Sequence, residues 1–312
     1  MTEVQSSVSR TDSDGFLGND TLLSVRNVSL RFGGIHAVDG ATFDVERHSI
    51  TSLIGPNGAG KTSAFNVIAG FYRGKSGSVL LNGEEIFRKP PYEIARQGLI
   101  RTFQLTRVLN RGTVLDNVLL AAQAHPGVRL RNLFFRPFAS RAYERRAQDD
   151  AMDILEILNL KSHAKAYAGT LSGGQRKLLE IARALMAKPH LLLLDEPMAG
   201  INPTLGKEVF EHIRNLNASL GTTILFIEHD MGVIMRNSDR VIVMSEGRVV
   251  SQGTPMTVRH DPAVIEAYIG KRAATATGSD RVGGAAAVIA RHTAPGQAVS
   301  GRAVHADLAG GN

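Results

Sequence analysis

The feature that most constrains the fold of this chain is a glycine-rich loop between an apolar strand and a helix. The loop reads Gly-Pro-Asn-Gly-Ala-Gly-Lys-Thr at residues 55–62 and fits the pattern G-x-x-x-x-G-K-[S/T]. Residues 49–54 before it are β-forming, and Phe65, Val67 and Ile68 after it suit one face of a helix. Glycines let several N–H groups turn toward one anion, and a helix N-terminus adds about half a positive charge. This arrangement predicts a nucleotide-phosphate site.

Two carboxylates follow a second apolar strand. Residues 191–194 are four leucines, and Asp195 and Glu196 come directly after them. The carboxyl ends of parallel strands lie at one edge of a sheet, where the phosphate loop also begins. Lys61 is predicted to reach the β- and γ-phosphates, while Thr62 binds magnesium and Asp195 holds the same ion through water. We expect Glu196 to polarise the attacking water.

A second helix start suited to anions lies in the middle of the chain. Leu171-Ser172-Gly173-Gly174-Gln175 precedes apolar residues at helical spacing from Leu178 to Leu185. Ser172 is suited to cap the helix, and the two glycines allow a ligand to approach closely. One ATP does not need two such helix ends from the same subunit, whereas a head-to-tail pair of subunits uses both. The pattern therefore predicts a dimer that encloses nucleotide.

The order of apolar patterns indicates one α/β unit between two polar ends. Residues 1–20 are predicted to be a flexible leader, and the Ala- and Gly-rich residues 271–312 are predicted to be a disordered tail. The domain is predicted to span residues 21–270, with a helical part at about 104–188. Alternating strands and helices on either side predict a mainly parallel sheet covered by helices.

The individual elements have distinct patterns. A helix is predicted from about Pro203. Its apolar stripe is predicted to consist of Leu205, Val209, Ile213, Leu216 and Leu220. The predicted strands are residues 22–30, 49–54, 78–81, 191–194, 222–227 and 241–244.

Composition excludes several classes of protein. The chain has no cysteine, which excludes disulfides and thiolate-bound metals. No stretch approaches the roughly 18 consecutive apolar residues of a membrane span. The first residues also lack the basic-then-apolar pattern of a signal peptide. We expect that another chain crosses the bilayer if this one serves a membrane process.

The formal net charge is +7, and arginines are concentrated in one segment. These are Arg129, Arg131, Arg136, Arg141, Arg145 and Arg146. They fit either a solvated helix face, balanced by Glu144, Asp149 and Asp150, or a basic surface that faces a membrane or a partner. A nucleic-acid-binding module is the less favoured alternative, because no such motif is present and aromatic residues are scarce among the basic ones. We therefore expect no nucleic-acid partner.

Taken together, these motifs resemble those of ABC-family ATPases over about residues 22–270. LSGGQ at 171–175, beside GPNGAGKT at 55–62 and LLLLDEP at 191–197, is the combination typical of that family. The resemblance implies an α/β P-loop NTPase fold with a mostly parallel core sheet, an antiparallel β subdomain and a helical subdomain. It also implies binding and hydrolysis of ATP with Mg²⁺ as cofactor.

The resemblance assigns roles to further residues. Gln104 resembles the glutamine that senses magnesium and the attacking water, His229 the histidine that contacts the γ-phosphate, and Phe32 the aromatic that stacks on adenine. The implied catalytic residues are Glu196, His229 and Gln104, and the implied magnesium ligands are Thr62, Gln104 and Asp195. The implied nucleotide-binding residues are Phe32, Gly55, Pro56, Asn57, Gly58, Ala59, Gly60, Lys61, Thr62, Ser63, Leu171, Ser172, Gly173, Gly174 and Gln175.

Two positions depart from the family pattern. Residues 199–202 read Ala-Gly-Ile-Asn where many members carry S-x-L-D, so Asn202 can hydrogen-bond across a dimer but brings no charge. Residues 47–49 read Arg-His-Ser in place of the Gly-Glu turn that commonly precedes the phosphate-loop strand, a change expected to affect local geometry alone.

The finer resemblance is to ATPase subunits of branched-chain amino acid importers. It rests on RFGG at 31–34, RTFQ at 101–104, DEPMAGIN at 195–202, IEHDM at 227–231 and DPAVIEAYIG at 261–270. It implies a peripheral subunit at the cytoplasmic face of the membrane. The implied partners are transmembrane permease subunits, a second ATPase subunit that is identical or a paralogue, and indirectly a solute-binding protein.

Other transport and non-transport functions stay open from the sequence. ATPases of urea or short-amide importers and of lipopolysaccharide exporters share much of the same pattern. A permease-free soluble ABC ATPase is a further alternative, which is disfavoured because the chain has one cassette and no heptad run.

Overall fold

The computed structural model describes residues 20–102, 108–122 and 137–275. Its strands are β1 (Thr21–Phe32), β2 (Ile35–Glu46), β3 (Ile50–Ile54), β4 (Ser76–Leu81), β5 (Glu84–Glu85), β6 (Leu99–Arg101), β7 (Leu191–Asp195), β8 (Thr223–Ile227), β9 (Arg240–Ser245) and β10 (Arg248–Gly253). Its α-helices are α1 (Lys61–Ile68), α2 (Pro91–Arg96), α3 (Val114–Leu119), α4 (Pro137–Ile157), α5 (Gly173–Met186), α6 (Pro203–Leu220), α7 (Met231–Asn237), α8 (Pro255–Arg259) and α9 (Pro262–Thr275).

A six-stranded sheet with the order β10-β9-β3-β8-β7-β6 forms the centre of the fold. Its strands are parallel, except that β10 runs antiparallel to β9. Every residue of β3, β7 and β8 is buried, which is why these strands read as continuous apolar runs rather than as alternating patterns. The predicted parallel core sheet is therefore confirmed.

A four-stranded antiparallel sheet with the order β2-β1-β4-β5 forms the second layer. Strand β2 was not among the strands predicted from the sequence, because Gly40 and two aspartates interrupt its apolar pattern. Its second half nevertheless alternates, since Ala41, Phe43 and Val45 are buried and the residues between them are less so. Strand β2 pairs with β1 over most of its length, and this pairing stabilises a strand that its own sequence pattern does not predict.

The two faces of the central sheet bury two different sets of side chains. Leu192 and Leu194 of β7 pack with the helical core of α3, α4 and α5, which is the described part of the predicted helical region. Leu191 and Leu193 pack with α1 and the antiparallel sheet. This alternation follows from the strand geometry, in which successive side chains point to opposite faces. The sheet is thereby fixed from both sides, and its edge is a rigid platform for a site.

Two details differ from the sequence-based expectations. Helix α6 buries Val209, Ile213 and Leu216, but Leu220 is 50% exposed because it is the last residue of the helix before the Gly221 cap. Helix α9 continues to Thr275, five residues into the segment predicted to be the tail. Alanines in this stretch favour helix strongly enough to extend it.

The predicted leader, up to residue 19, and the remainder of the predicted tail lie outside the described residues. Among the helices that the structure describes, none is both long and apolar enough to cross a membrane.

Candidate nucleotide-binding site

Three strand ends meet at one edge of the central sheet. Leu53 of β3 and Asp195 of β7 are both paired with Ile227 of β8, so the three strands end in register. The residues that follow these ends are the phosphate loop from Gly55, Glu196, and the segment that contains His229. The sheet therefore brings together the groups that the sequence predicted from three separate segments.

The phosphate loop requires glycine at two close approaches. Gly55 has φ +148°, and a Cβ there would lie 2.0 Å from the Met244 carbonyl oxygen. Gly60 has φ +96°, and a Cβ there would lie 2.2 Å from the Ala37 carbonyl oxygen. Any other side chain would push the loop away from β9 or β2, and with it the start of α1.

Helix α1 begins at Lys61, directly after this loop, and no acidic residue lies in its first turn. Its first N–H groups have no partner within the helix, and the helix dipole adds positive potential there. The Lys61 ammonium donates to the carbonyl oxygens of Gly55 and Pro56 at 2.8 and 3.0 Å. The loop thus gathers amide donors and a cation, which is the donor set that a triphosphate requires.

The carboxylate of Asp195 is buried and only partly satisfied. The residue is 2% exposed, and its Oδ2 accepts from Arg101 Nη2 at 2.7 Å. Its Oδ1 has no hydrogen-bond partner among the residues that the structure describes. A buried carboxylate oxygen left open fits a magnesium ion or its water, since Mg²⁺ takes oxygen ligands and few protein groups. Thr62, in the first turn of α1, is the second predicted magnesium ligand.

Glu196 follows Asp195 in a strained backbone conformation. Its φ is +48°, in the left-handed region that non-glycine residues rarely adopt. The Glu196 N–H donates to the Ile227 carbonyl oxygen at 3.1 Å, and the Glu196 carbonyl accepts from Ala199 N–H at 3.0 Å. These bonds hold the strained turn, and such strain is found disproportionately at active sites.

His229 and Glu228 follow β8 with opposite exposures. The His229 side chain is 70% exposed, and its Nδ1 lies 3.7 Å from Glu228 Oε2. Glu228 is buried and accepts from the N–H groups of Met198 and His229 at 3.0 and 3.3 Å. Burial raises the pKa of Glu228, although these two N–H groups act in the opposite direction. Glu228 was not assigned a role from the sequence, where its place beside His229 was the available signal.

An exposed aromatic pair lies at the end of β1. Phe32 is 48% exposed, and its ring meets Tyr72 edge-on at 5.3 Å between centroids. An exposed ring at this place suits stacking on a base. Tyr72 was not selected from the sequence, because its position after α1 gave no indication that it would contact Phe32.

The second glycine motif caps α5. Ser172 Oγ accepts from Gln175 N–H, and Gln175 Oε1 accepts from Ser172 N–H, which forms a reciprocal capping box. A Cβ on Gly174 would lie 3.3 Å from the Leu205 side chain, so the motif packs closely on α6. The Leu171 side chain is buried in the helical core, so the prediction that it binds nucleotide can hold only for its backbone.

Two further residues, Asn202 and Tyr268, have contacts or surroundings that bear on the site. Asn202, which can hydrogen-bond across a dimer, caps α6 in this structure, where its side-chain oxygen accepts from Thr204 N–H at 2.9 Å. Tyr268 of α9 lies beside the loop, and burial raises the pKa of its hydroxyl to about 12 against a smaller opposite effect of the Gly55 N–H. Gln104 lies outside the described residues.

The chain matches known proteins over most of its length. The ABC transporter family model matches residues 38–199, and the model described as branched-chain amino acid ATP-binding cassette transporter matches residues 248–274. The high-affinity branched-chain amino acid transport ATP-binding protein BraF of Pseudomonas aeruginosa is 42% identical over 250 residues, which are 80% of this chain and 98% of BraF. The corresponding LivG protein of Escherichia coli K12 is 42% identical over 254 residues, with the same two coverages.

Solved structures show the same fold. The ADP conformation of MJ1267, an ATP-binding cassette of an ABC transporter, is 35% identical with a TM-score of 0.68, and the match covers 80% of this chain and 99% of that one. A nucleotide-free ATP-binding cassette from an ABC transporter is 38% identical with a TM-score of 0.69 and the same coverages. The predicted P-loop α/β fold with its antiparallel and helical parts is confirmed. This chain therefore belongs to the ABC transporter family, as one of its ATP-binding, ATP-hydrolysing cassettes.

Proposed function

We propose that this chain energises a membrane importer of branched-chain amino acids by hydrolysing ATP as half of a nucleotide-sandwiching dimer. The observation that carries the proposal is the common register of β3, β7 and β8, whose ends bear the phosphate loop, Glu196 and the His229 segment. The solute class is inferred from BraF and LivG, which are named as branched-chain amino acid transport proteins. The match at residues 248–274 supports the same class.

The phosphate loop and Phe32 bind the nucleotide. Lys61 now donates to two carbonyl oxygens of its own loop, and exchange of these neutral acceptors for β- and γ-phosphate oxygens forms stronger charge-assisted bonds. The backbone N–H groups from Gly58 to Ser63 surround the phosphates. The exposed ring of Phe32 supplies a face for adenine.

Thr62 and Asp195 would hold magnesium between the loop and β7. When bound, Mg²⁺ neutralises charge on the phosphates. Thr62 would contribute its hydroxyl oxygen, and Asp195 would contribute Oδ1, which has no partner among the described residues, directly or through water. Both residues lie on rigid elements, which keeps the ligand geometry fixed before nucleotide arrives.

Glu196 acts as the general base. It accepts a proton from water as the water oxygen forms a bond to the γ-phosphorus and the bond to the β–γ bridging oxygen breaks, which leaves ADP and phosphate. His229 is exposed at the same edge and can donate to the γ-phosphate. We assign Gln104 to sensing magnesium and the attacking water, on the family resemblance alone.

The second subunit closes the site with the residues from Ser172 to Gly174. The Ser172 hydroxyl is engaged in the helix cap, but the first N–H groups of α5 have no partner within the helix and suit a γ-phosphate. Permease subunits would dock on the helical region, where Leu109, Leu120 and Tyr167 are large exposed apolar residues. The chain would then be peripheral, at the cytoplasmic face of the membrane.

Affinity purification from detergent-solubilised native membranes, followed by mass spectrometry, tests the transport role. We expect a polytopic permease and a second cassette subunit to be recovered with the chain. Recovery of soluble proteins alone would contradict the transport role and favour a permease-free ATPase. Uptake of labelled leucine, urea and short amides by cells with and without the gene then tests the solute class, and we expect leucine uptake alone to fall.

A further inference from the structure

We propose that Arg101 is a positioning residue for the magnesium site, and that it ties together the two residues proposed to hold the ion. The inference rests on the proposed assignment of Thr62 and Asp195 to magnesium. Arg101 is the last residue of β6, the strand beside β7, so its backbone is fixed by the same sheet that carries Asp195.

A short chain of hydrogen bonds joins the two proposed magnesium ligands through Arg101. Arg101 Nη2 donates to Asp195 Oδ2 at 2.7 Å, and Arg101 Nη1 donates to Asn66 Oδ1 at 2.6 Å. Asn66 Nδ2 in turn donates to the Thr62 carbonyl oxygen at 2.8 Å. The guanidinium therefore connects β7 with α1, the two elements that carry Asp195 and Thr62.

The surroundings of Arg101 hold its side chain in one conformation. The side chain is 10% exposed. Its guanidinium carbon lies 6.0 Å from the centre of the Phe65 ring and 5.7 Å from that of Phe71. Both distances are within the range of cation–π attraction. A planar, permanently charged group enclosed in this way can orient a carboxylate that a flexible ammonium could not.

The pairing leaves one carboxylate oxygen open. Arginine commonly binds a carboxylate through two parallel bonds that occupy both oxygens. Here the two terminal nitrogens are divided between Asn66 and Asp195, and Asp195 Oδ1 is buried with no partner in the described part of the chain. Burial of this charge is stabilised by the ion pair, while the open oxygen is held in a fixed direction. This is the arrangement expected of a group that positions a metal ligand rather than one that only neutralises it.

The test measures how Mg²⁺ affects nucleotide binding, without relying on turnover. The full chain is titrated with a fluorescent, non-hydrolysable ATP analogue, first in EDTA and then at increasing Mg²⁺. For Arg101→Met we expect the half-saturating Mg²⁺ concentration to rise about tenfold or more, as for other groups that orient metal ligands. Binding in EDTA is expected to stay within about twofold, because the phosphate loop is intact. Arg101→Lys should give an intermediate rise in the half-saturating Mg²⁺ concentration, because an ammonium keeps the charge but not the planar arrangement of N–H donors.

Controls separate the possible failures. Arg96→Met is the matched control, because Arg96 is an exposed arginine whose guanidinium also lies near an aromatic ring, that of Tyr92. If thermal melting shows that Arg101→Met does not fold, the Mg²⁺ titration of Arg101→Lys is the test. Unchanged or lower half-saturating Mg²⁺ in folded Arg101 variants would overturn the inference. If Asp195→Asn also leaves the Mg²⁺ dependence unchanged, the magnesium assignment itself is wrong; if Asp195→Asn alone shifts it, only the role of Arg101 is lost.

Discussion

The groups at the sheet edge differ sharply in how far the fold alone fixes them. Asp195 and Glu228 are buried and bonded to arginine or backbone N–H groups. His229 and Phe32 are largely exposed, and their described polar contacts are few. The fold therefore positions the two carboxylates before nucleotide arrives, whereas we expect His229 and Phe32 to gain their nucleotide contacts only on binding. Changes to the exposed pair should therefore affect function and spare stability, while changes to the buried pair should affect both.

The largest effect on function that distinguishes the exposed from the buried groups is expected at His229. His229→Ala should lower the ATPase rate about 100-fold, the usual cost of losing one donor to developing charge. Its free energy of unfolding should change by less than about 0.5 kcal/mol, because the side chain is exposed. Steady-state turnover and urea denaturation measure the two quantities. His260→Ala is the matched control, since His260 is also exposed and lies outside the site. A large loss of stability in His229→Ala, but not in His260→Ala, would contradict the expectation that the exposed groups do not stabilise the fold.

A smaller effect is expected at the aromatic pair. Phe32→Ala should weaken ATP binding about tenfold, in line with the roughly 1–3 kcal/mol of stacking between a base and an aromatic ring. The binding of GTP, which carries a different base on the same phosphates, should weaken by a similar factor in this variant. Calorimetric titration measures both, with Tyr92→Ala as a control at another exposed aromatic residue. Unchanged affinity for both nucleotides would remove Phe32 from the site.

The smallest effect concerns the buried Glu228 and depends on pH. Because burial raises its pKa above 4.5, the folded state binds the proton more tightly than the unfolded state. The folded protein is therefore expected to lose stability as pH rises from about 4.5 through the folded pKa, by up to about 1.4 kcal/mol per pH unit. Glu228→Gln has no such titration, so its stability relative to the original chain should rise across this window. Urea denaturation from pH 4.5 to 8 measures the free energy of unfolding of both proteins. A difference between them that does not change with pH would contradict a raised pKa of Glu228.

Most residues of the proposed site could be selected from the sequence because they follow strong local patterns. The phosphate loop, the Leu191–Asp195 strand and the capping serine Ser172 each carry their signal within a few neighbouring residues. The pairing of strand β2 and the contacts of Arg101 and Glu228 involve distant segments, and no local sequence pattern indicates such contacts.

The most direct test of the central claim is ATP turnover by Glu196→Gln, compared with Glu246→Gln. Both glutamates have positive φ, at +48° and +51°, but Glu246 is exposed on the β9–β10 turn. The substitution of Glu196 keeps the shape and removes the base. The account predicts that Glu196→Gln binds ATP and accumulates as a dimer by light scattering, while hydrolysis falls at least about 100-fold and Glu246→Gln hydrolyses normally. Near-normal hydrolysis by Glu196→Gln would contradict the assignment of the general base.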